Sequence, residues 1–296
     1  LGASPAWRAG AAAPATRRLE VAVRAMDLRF LAHPVLVGQY EHDPIAGPQA
    51  LIDSELLDGE LSRRRQLGFY PGPLGTALAV LRVPNEVERA RDSLTGAVVT
   101  GLGSYEKALT LGGLTDAVRA GALRCLLHTV DVLGNGERSL TLASLLLGYN
   151  SSANLTVAAS VEAIVRGVME ANALFAETTR LPARIRRVEI VELYTDTATT
   201  AVYALRDLAP RLASEAKRLR VQLDCATELR REESARQRLY DAGGGAYWPR
   251  LVVSDADRGE DDGPRARGEE AGGANAARLT AHPTRPQQPE RQRILY

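Results

Sequence analysis

The sequence predicts a three-layer α/β/α sandwich built on a mixed, mostly parallel sheet, and three observations predict it. Short apolar runs alternate with helix-periodic stretches, joined by short links, from Leu19 to Ser254. One run, Pro34-Val-Leu-Val-Gly38, is apolar without alternation, the pattern of a strand covered on both faces. From Ala97 onward strand, turn and helix recur as a unit, the order that lays strands parallel through crossover helices.

Taken in order, Leu19 to Phe30 opens as a strand, with Leu19, Val21 and Val23 sharing one face by the two-residue period. After the strand at Pro34–Gly38, Asp43-Pro44 and Gly47-Pro48 mark a turn, and a helix is expected through Leu51, Ile52, Leu56, Leu57 and Leu61 to about Gly68. Pro48 suits its first turn, where no backbone donor is required. Tyr70-Pro-Gly-Pro-Leu-Gly75 is a turn cluster, and Thr76 to Val83 returns as strand.

Ala97–Gly103 runs as a strand into a glycine turn, followed from about Thr110 by a helix with Leu114, Val118, Leu123, Leu126, Leu127 and Val130 on one side. Leu140–Leu147 is the next strand, Gly148–Asn154 a polar loop, and Thr156 the cap of a helix carrying Val157, Val161, Ile164, Val165 and Val168. Arg184–Tyr194 repeats the strand, with Thr195 or Asp196 as cap of a helix to Ala209. An edge strand at about 218–224 and a last strand at Trp248–Ser254 complete the expectation, with some antiparallel pairing near the start.

Composition sets the frame. The chain has 296 residues, 45% hydrophobic and 25% charged, which is ordinary for a globular protein. A formal net charge of +1 excludes a global field that would draw nucleic acid or an anionic membrane. Lys107 and Lys217 are the only lysines among 37 basic residues, a bias of coding composition rather than of phosphate recognition. Two cysteines far apart, Cys125 and Cys225, are the usage of a reducing compartment, so a cytoplasmic location is expected. No apolar run has the length of a membrane span, and Leu1–Arg18 lacks the apolar core of a signal peptide.

Residues 1–18 lack periodicity and are expected to be a disordered linker, with one α/β domain over 19–254. Residues 255–296 are expected to be a disordered low-complexity tail. Ordering them would cost about 1–2 kcal/mol of backbone entropy per residue, against only four large apolar side chains, Leu279, Ile294, Leu295 and Tyr296. The start without Met suggests a fragment of a longer reading frame, and the tail is either a frameshift or a genuine truncated product.

The blocks His33–Gly38, Ala50–Asp53, Leu67–Thr76, Val99–Gly103, Ser144–Gly148 with Ser160–Val168, Val188–Tyr194 and Tyr247–Leu251 occur in an order that resembles a known family. It is the N-terminal accessory region of bacterial proteins carrying a caspase-like CHAT domain, a region similar in fold to the macro-like N-terminal half of leucine aminopeptidases. The resemblance covers roughly 19–254. It implies a non-catalytic recognition or regulatory module whose partner is a protein or a downstream caspase-like domain. The aminopeptidase stretch Asn-Thr-Asp-Ala-Glu-Gly-Arg is absent, as are caspase-like motifs, so neither two-metal hydrolysis nor the cysteine peptidase reaction is expected of this chain. A macro-like domain binding ADP-ribose or a nucleotide is the alternative, and a fragment of a protease a third.

Candidate chemistry is sparse, and no catalytic residue, metal or cofactor is expected. Cys125 and His128 stand three apart on one helix, which reads as packed core rather than a nucleophile and its base, and two ligands fall short of a zinc site. Gly101 and Gly103 open as a phosphate-cradling turn does, but position 106 is Glu106 where the fingerprint wants a third glycine. The loop Gly148-Tyr-Asn-Ser-Ser-Ala-Asn154 before a helix resembles the ligand loops of macro domains, though with one glycine. Gly101, Gly103, Gly148, Tyr149 and Asn150 are therefore the ligand-binding candidates. Glu189 and Glu192 in an apolar strand require partners, for which Arg186, Arg187 or Arg166 are at hand, and His42-Asp43 at a strand end is a solvated pair or a pocket rim.

Overall fold

The computed structural model describes residues 17–82, 94–134, 137–151, 155–179 and 181–238. The strand expected at Trp248–Ser254 and the tail at 255–296 lie outside the described residues, as does the linker apart from its last two positions.

In chain order the elements are β1 (Arg17–Ala25), a 3-10 turn (Leu28–Phe30), β2 (Val35–Tyr40), α1 (Pro48–Glu55), α2 (Glu60–Gln66), β3 (Ala77–Arg82) and β4 (Thr95–Gly103). There follow α3 (Leu111–Leu133), β5 (Arg138–Ser144), α4 (Val157–Thr179), β6 (Ala183–Glu192), α5 (Thr195–Arg211), α6 (Ala213–Arg218) and β7 (Val221–Arg231). The strands make one seven-stranded sheet in the order β3-β4-β2-β5-β6-β1-β7. β3 runs antiparallel to β4, and every other pairing is parallel. This is the α/β sandwich on a mixed, mostly parallel sheet that the sequence predicts.

Alternation along the strands divides the core in two. Leu36, Val98, Leu142, Val188 and Ile190 face α3, α4 and α5, whereas Val35, Val37, Leu78, Val80, Ala97 and Val99 face Ile52 of α1 and Leu57 and Leu61 around α2. The three long helices cross closely because glycines stand where they meet their neighbours. A Cβ on Gly167 would lie 2.8 Å from the Thr115 carbonyl oxygen, and one on Gly121 would lie 2.7 Å from a Leu36 methyl. Asn172 of α4 ties the helix layer to the sheet: its Nδ2 donates to the Ile185 carbonyl at 2.8 Å and its Oδ1 accepts from the Ile185 amide at 2.9 Å.

On the second face, the β6–β1–β7 side carries charged side chains beside the buried Val191. Glu20 accepts from Arg186 at 3.3 Å and Arg187 at 2.9 Å and lies 3.6 Å from Arg18. Glu189 is held by Arg24 at 2.8 Å, and Arg24 reaches Glu232 at 2.9 Å.

Four local expectations are corrected. The first strand ends at Ala25, because Asp27 caps the 3-10 turn by accepting from the Arg29 amide. The single helix expected to Gly68 is two, α1 and α2, since Asp58 and Gly59 both take left-handed backbone with φ of 55° and 75°. Asp53 restarts the helix, accepting from the amides of Leu61 at 2.7 Å and Ser62 at 3.1 Å. Neither Thr195 nor Asp196 caps α5. Its first amide donates instead to the carbonyl of Arg236, a residue distant in sequence, at 2.9 Å. The edge strand is longer than expected, reaching Arg231.

Asn172→Ala orphans two buried backbone groups at about 1–3 kcal/mol each. Urea denaturation is expected to show a loss of roughly 2–5 kcal/mol with the m-value unchanged.

Candidate functional site

At the carboxyl ends of β2, β4 and β5 the chain encloses a crevice of about 250 Å³. Its position follows from topology. The chain leaves β2 through α1 and α2 toward β4 on one side, and leaves β5 through α4 toward β6 on the other. Where connections part in this way, an open α/β sheet leaves a gap at the strand ends.

Three loops supply the walls. After β2, His42 takes a left-handed turn with φ of 66°, which brings Asp43 and Pro44 to the rim. The Gln39 side chain, buried in the floor, donates to the carbonyls of Tyr40 and Asp43, both at 2.9 Å. Arg65 donates to the same Asp43 carbonyl, which ties α2 to the turn. Gln49 in the first turn of α1 donates to the Gly38 carbonyl at 2.5 Å and accepts from the Tyr70 hydroxyl at 3.2 Å. Burial and the nearby Asp53 hold the Tyr70 hydroxyl far above its ordinary pKa, so it stays a donor.

After β4, Tyr105 folds back over the crevice. Its ring stacks on Tyr40 with centroids 4.2 Å apart and an interplanar angle of 20°. The Tyr105 hydroxyl donates to the Asp43 carboxylate. Tyr40 is buried, whereas Tyr105 is 46% exposed and forms the outer ring of the stack. After β5, Leu145–Leu147 were expected to continue the strand. Their chain instead peels away past Ser144, and Leu146 and Leu147 line the crevice wall. Gly148 then turns with φ of 72°, and Ser151 meets the Tyr40 hydroxyl at 3.0 Å.

Of the sequence candidates, Gly148 and Tyr149 line the crevice, and Asn150 follows them in left-handed backbone with φ of 51°. Gly101 and Gly103 stand behind it. Their amides donate to the carbonyls of Thr76 at 2.9 Å and Gly72 at 2.8 Å, so both donors belong to the β4 edge. A Cβ on Gly101 would run into the carbonyl oxygen of Pro73, which explains the glycine by close approach of two backbones. Tyr40 and Tyr105 join Asp43, which the sequence offers with His42 as a solvated pair or pocket rim, and Ser151, from the loop Gly148–Asn154; the only sequence signal for the two tyrosines is that each follows a strand end.

Cys125 is buried, and burial pushes its thiol up to about 12, which suppresses thiolate. His128 is half-buried, and burial aided by Arg124 holds its imidazole below the ordinary range. Among the described residues, no group of three or more His, Cys, Asp or Glu side chains could hold a metal ion. No helix among them is long and apolar enough to cross a membrane.

The two carboxylates of β6 differ. Glu189 finds Arg24 at 2.8 Å and Arg187 at 3.8 Å, while Arg166, the other partner considered, pairs with Glu162 and Glu215. Glu192 is pushed by burial up to about 7; Asp196 adds to the rise, and Arg238 and the amides of Leu193 and Tyr194 oppose it. A folded pKa above the ordinary 4.5 means that the folded state holds the proton longer than the unfolded one. Stability from this group is therefore present below about 4.5 and is lost as pH rises toward 7. A Glu192→Gln variant is expected to flatten that slope, gaining on the order of 2–3 kcal/mol relative to the parent between those limits when denaturation is followed as a function of pH.

No protein-family model and no curated protein sequence matches the chain. Among solved structures it is similar to a point mutant of the macrodomain of Oceanobacillus iheyensis, at 13% identity over 64% of this chain and 92% of that one, with a TM-score of 0.41. It is similar also to a point mutant of tomato leucine aminopeptidase, at 18% identity over 65% of this chain and 36% of that one, with a TM-score of 0.40. The bottromycin maturation enzyme BotP gives 18% identity over 63% of this chain and 35% of that one, with a TM-score of 0.33. The chain thus matches about a third of the length of the latter two.

Proposed function

We propose that this chain is a non-catalytic, macro-like recognition module whose ligand site is the crevice at the carboxyl ends of β2, β4 and β5. One observation carries the reading: the β2, β4 and β5 loops bring a stacked tyrosine pair, a carboxylate and a hydroxyl together at the place where the sheet connections part. The ligand class that fits the macro-like reading is ADP-ribose or a nucleotide. At about 250 Å³ the crevice is smaller than the roughly 300–1,000 Å³ of pockets for ligands of that size. A nucleotide therefore enters with Tyr105 lifted from Tyr40.

Calorimetry with ADP-ribose is expected to show saturable binding. Gly148→Ala places a Cβ 2.8 Å from a Leu155 methyl on left-handed backbone, and is expected to weaken binding by about tenfold or more. Tyr40→Ala is expected to do the same, with the melting temperature of each variant measured alongside. Absence of saturable binding, or binding indifferent to both changes, overturns the assignment.

The ordered sequence blocks favour a second, compatible reading, in which the module regulates a CHAT-domain protein whose caspase-like part lies outside this chain. A caspase-like domain encoded in the same gene would support it. Peptidase activity of the chain itself, abolished by one point mutation, would contradict the non-catalytic role.

A further inference from the structure

Away from the crevice, at the amino-terminal end of β7, an open groove of about 530 Å³ runs between the α5–α6 corner and the sheet edge. Val221 and Leu223 line it from the helix-facing side of β7 and Gln222 from the alternate side, so the groove straddles the edge itself. Among the described residues β7 is the terminal strand, paired with β1 alone. One edge of its backbone therefore has no strand partner among the described residues, and an edge of this kind carries a row of donors and acceptors.

The two halves of β7 differ in how that edge is protected. Toward its carboxyl end Ala226, Thr227 and Glu228 stand against the single residue Ala22, a bulge that breaks the ladder, and Arg230 and Arg231 follow. Bulges and charged ends blunt an edge. Val221–Cys225 has no bulge, its one charged side chain, Asp224, is answered by Arg18, and that is the half beside the groove. Ala209, Ala213 and Ala216 make the opposite wall, small side chains that leave room rather than fill it.

The rim is basic. Glu215 is engaged by Arg166 at 3.2 Å and Arg218 at 3.7 Å. Lys217 and Arg220 are both exposed, and among the described residues neither has an ion-pair partner. Arg220 takes left-handed backbone with φ of 56° where the chain turns from α6 into β7, which sets its side chain at the groove mouth.

We propose that this edge receives an extended acidic segment of a partner protein as an added strand, with small apolar side chains over the alanines and carboxylates against Lys217 and Arg220. Main-chain hydrogen bonds to β7 supply affinity, and the alanine wall and the two cations supply selection.

The test is fluorescence anisotropy of the full chain with a fluorescein-labelled peptide of alternating Glu and Val. Saturable binding is expected, weakened about tenfold or more by Lys217→Glu with Arg220→Glu, and lost on Ala213→Trp, which fills the groove from an exposed position. The same peptide N-methylated on alternate residues is expected not to bind, a comparison that needs no protein variant. The proposal is overturned by absence of binding, by equal binding of the N-methylated peptide or of a Lys-Val counterpart, or by a labelled oligouridylate that binds more tightly and loses affinity in the same variants. Sedimentation showing a dimer through β7 that the peptide does not dissociate overturns it as well.

Discussion

A parallel sheet has to be covered on both faces, and the way this chain meets that requirement governs the rest of the molecule. β2 sits near the middle with Val35, Leu36 and Val37 buried on alternating sides, between the long helices and the short pair α1 and α2. The short pair spans only the β3–β4–β2 side. Across β6, β1 and β7 the second face is finished with arginines paired to carboxylates. Exposed pairs of this kind add little individually. Glu189 is different: at 2% exposure its charge is tolerable only because Arg24 and Arg187 answer it.

The same requirement explains what could be read from the sequence. Strands covered twice announce themselves as unbroken apolar runs, and helices with one buried stripe announce themselves by period, so the order of elements and the parallel sheet were legible. Signals that depend on a distant partner were not. The α5 terminus is satisfied by a carbonyl at Arg236, and no local pattern encodes it. The break between α1 and α2 was legible in principle, since Asp58-Gly59 is a turn dipeptide, but the leucine stripe ran through it. The carboxyl half of β7 is charged and bulged, hence without the clean alternation that marks a strand in sequence.

The site was legible only in part for a related reason. Gly148 and Tyr149 follow a strand and precede a capped helix, a local arrangement, and they do line the crevice. The Tyr40–Tyr105 stack is made between two loops that the sheet brings together, and nothing in either sequence neighbourhood names the other. The crevice lies at the carboxyl ends of β2, β4 and β5 and the groove at the amino end of β7, and these strands run in one direction. They therefore lie at opposite ends of the sheet, and occupation of one leaves the other sterically open.

The two thiols give the molecule a built-in chemical clock. Cys125 is sealed between the helices and the sheet, and Cys225 is half-buried with its thiol pushed up to about 11 by burial and by Asp224. In the native fold both are protonated at neutral pH and slow toward alkylating reagents. The rate at which Cys125 is modified then measures how often the central packing opens, whereas half-buried Cys225 serves as the internal reference that reacts from the closed fold.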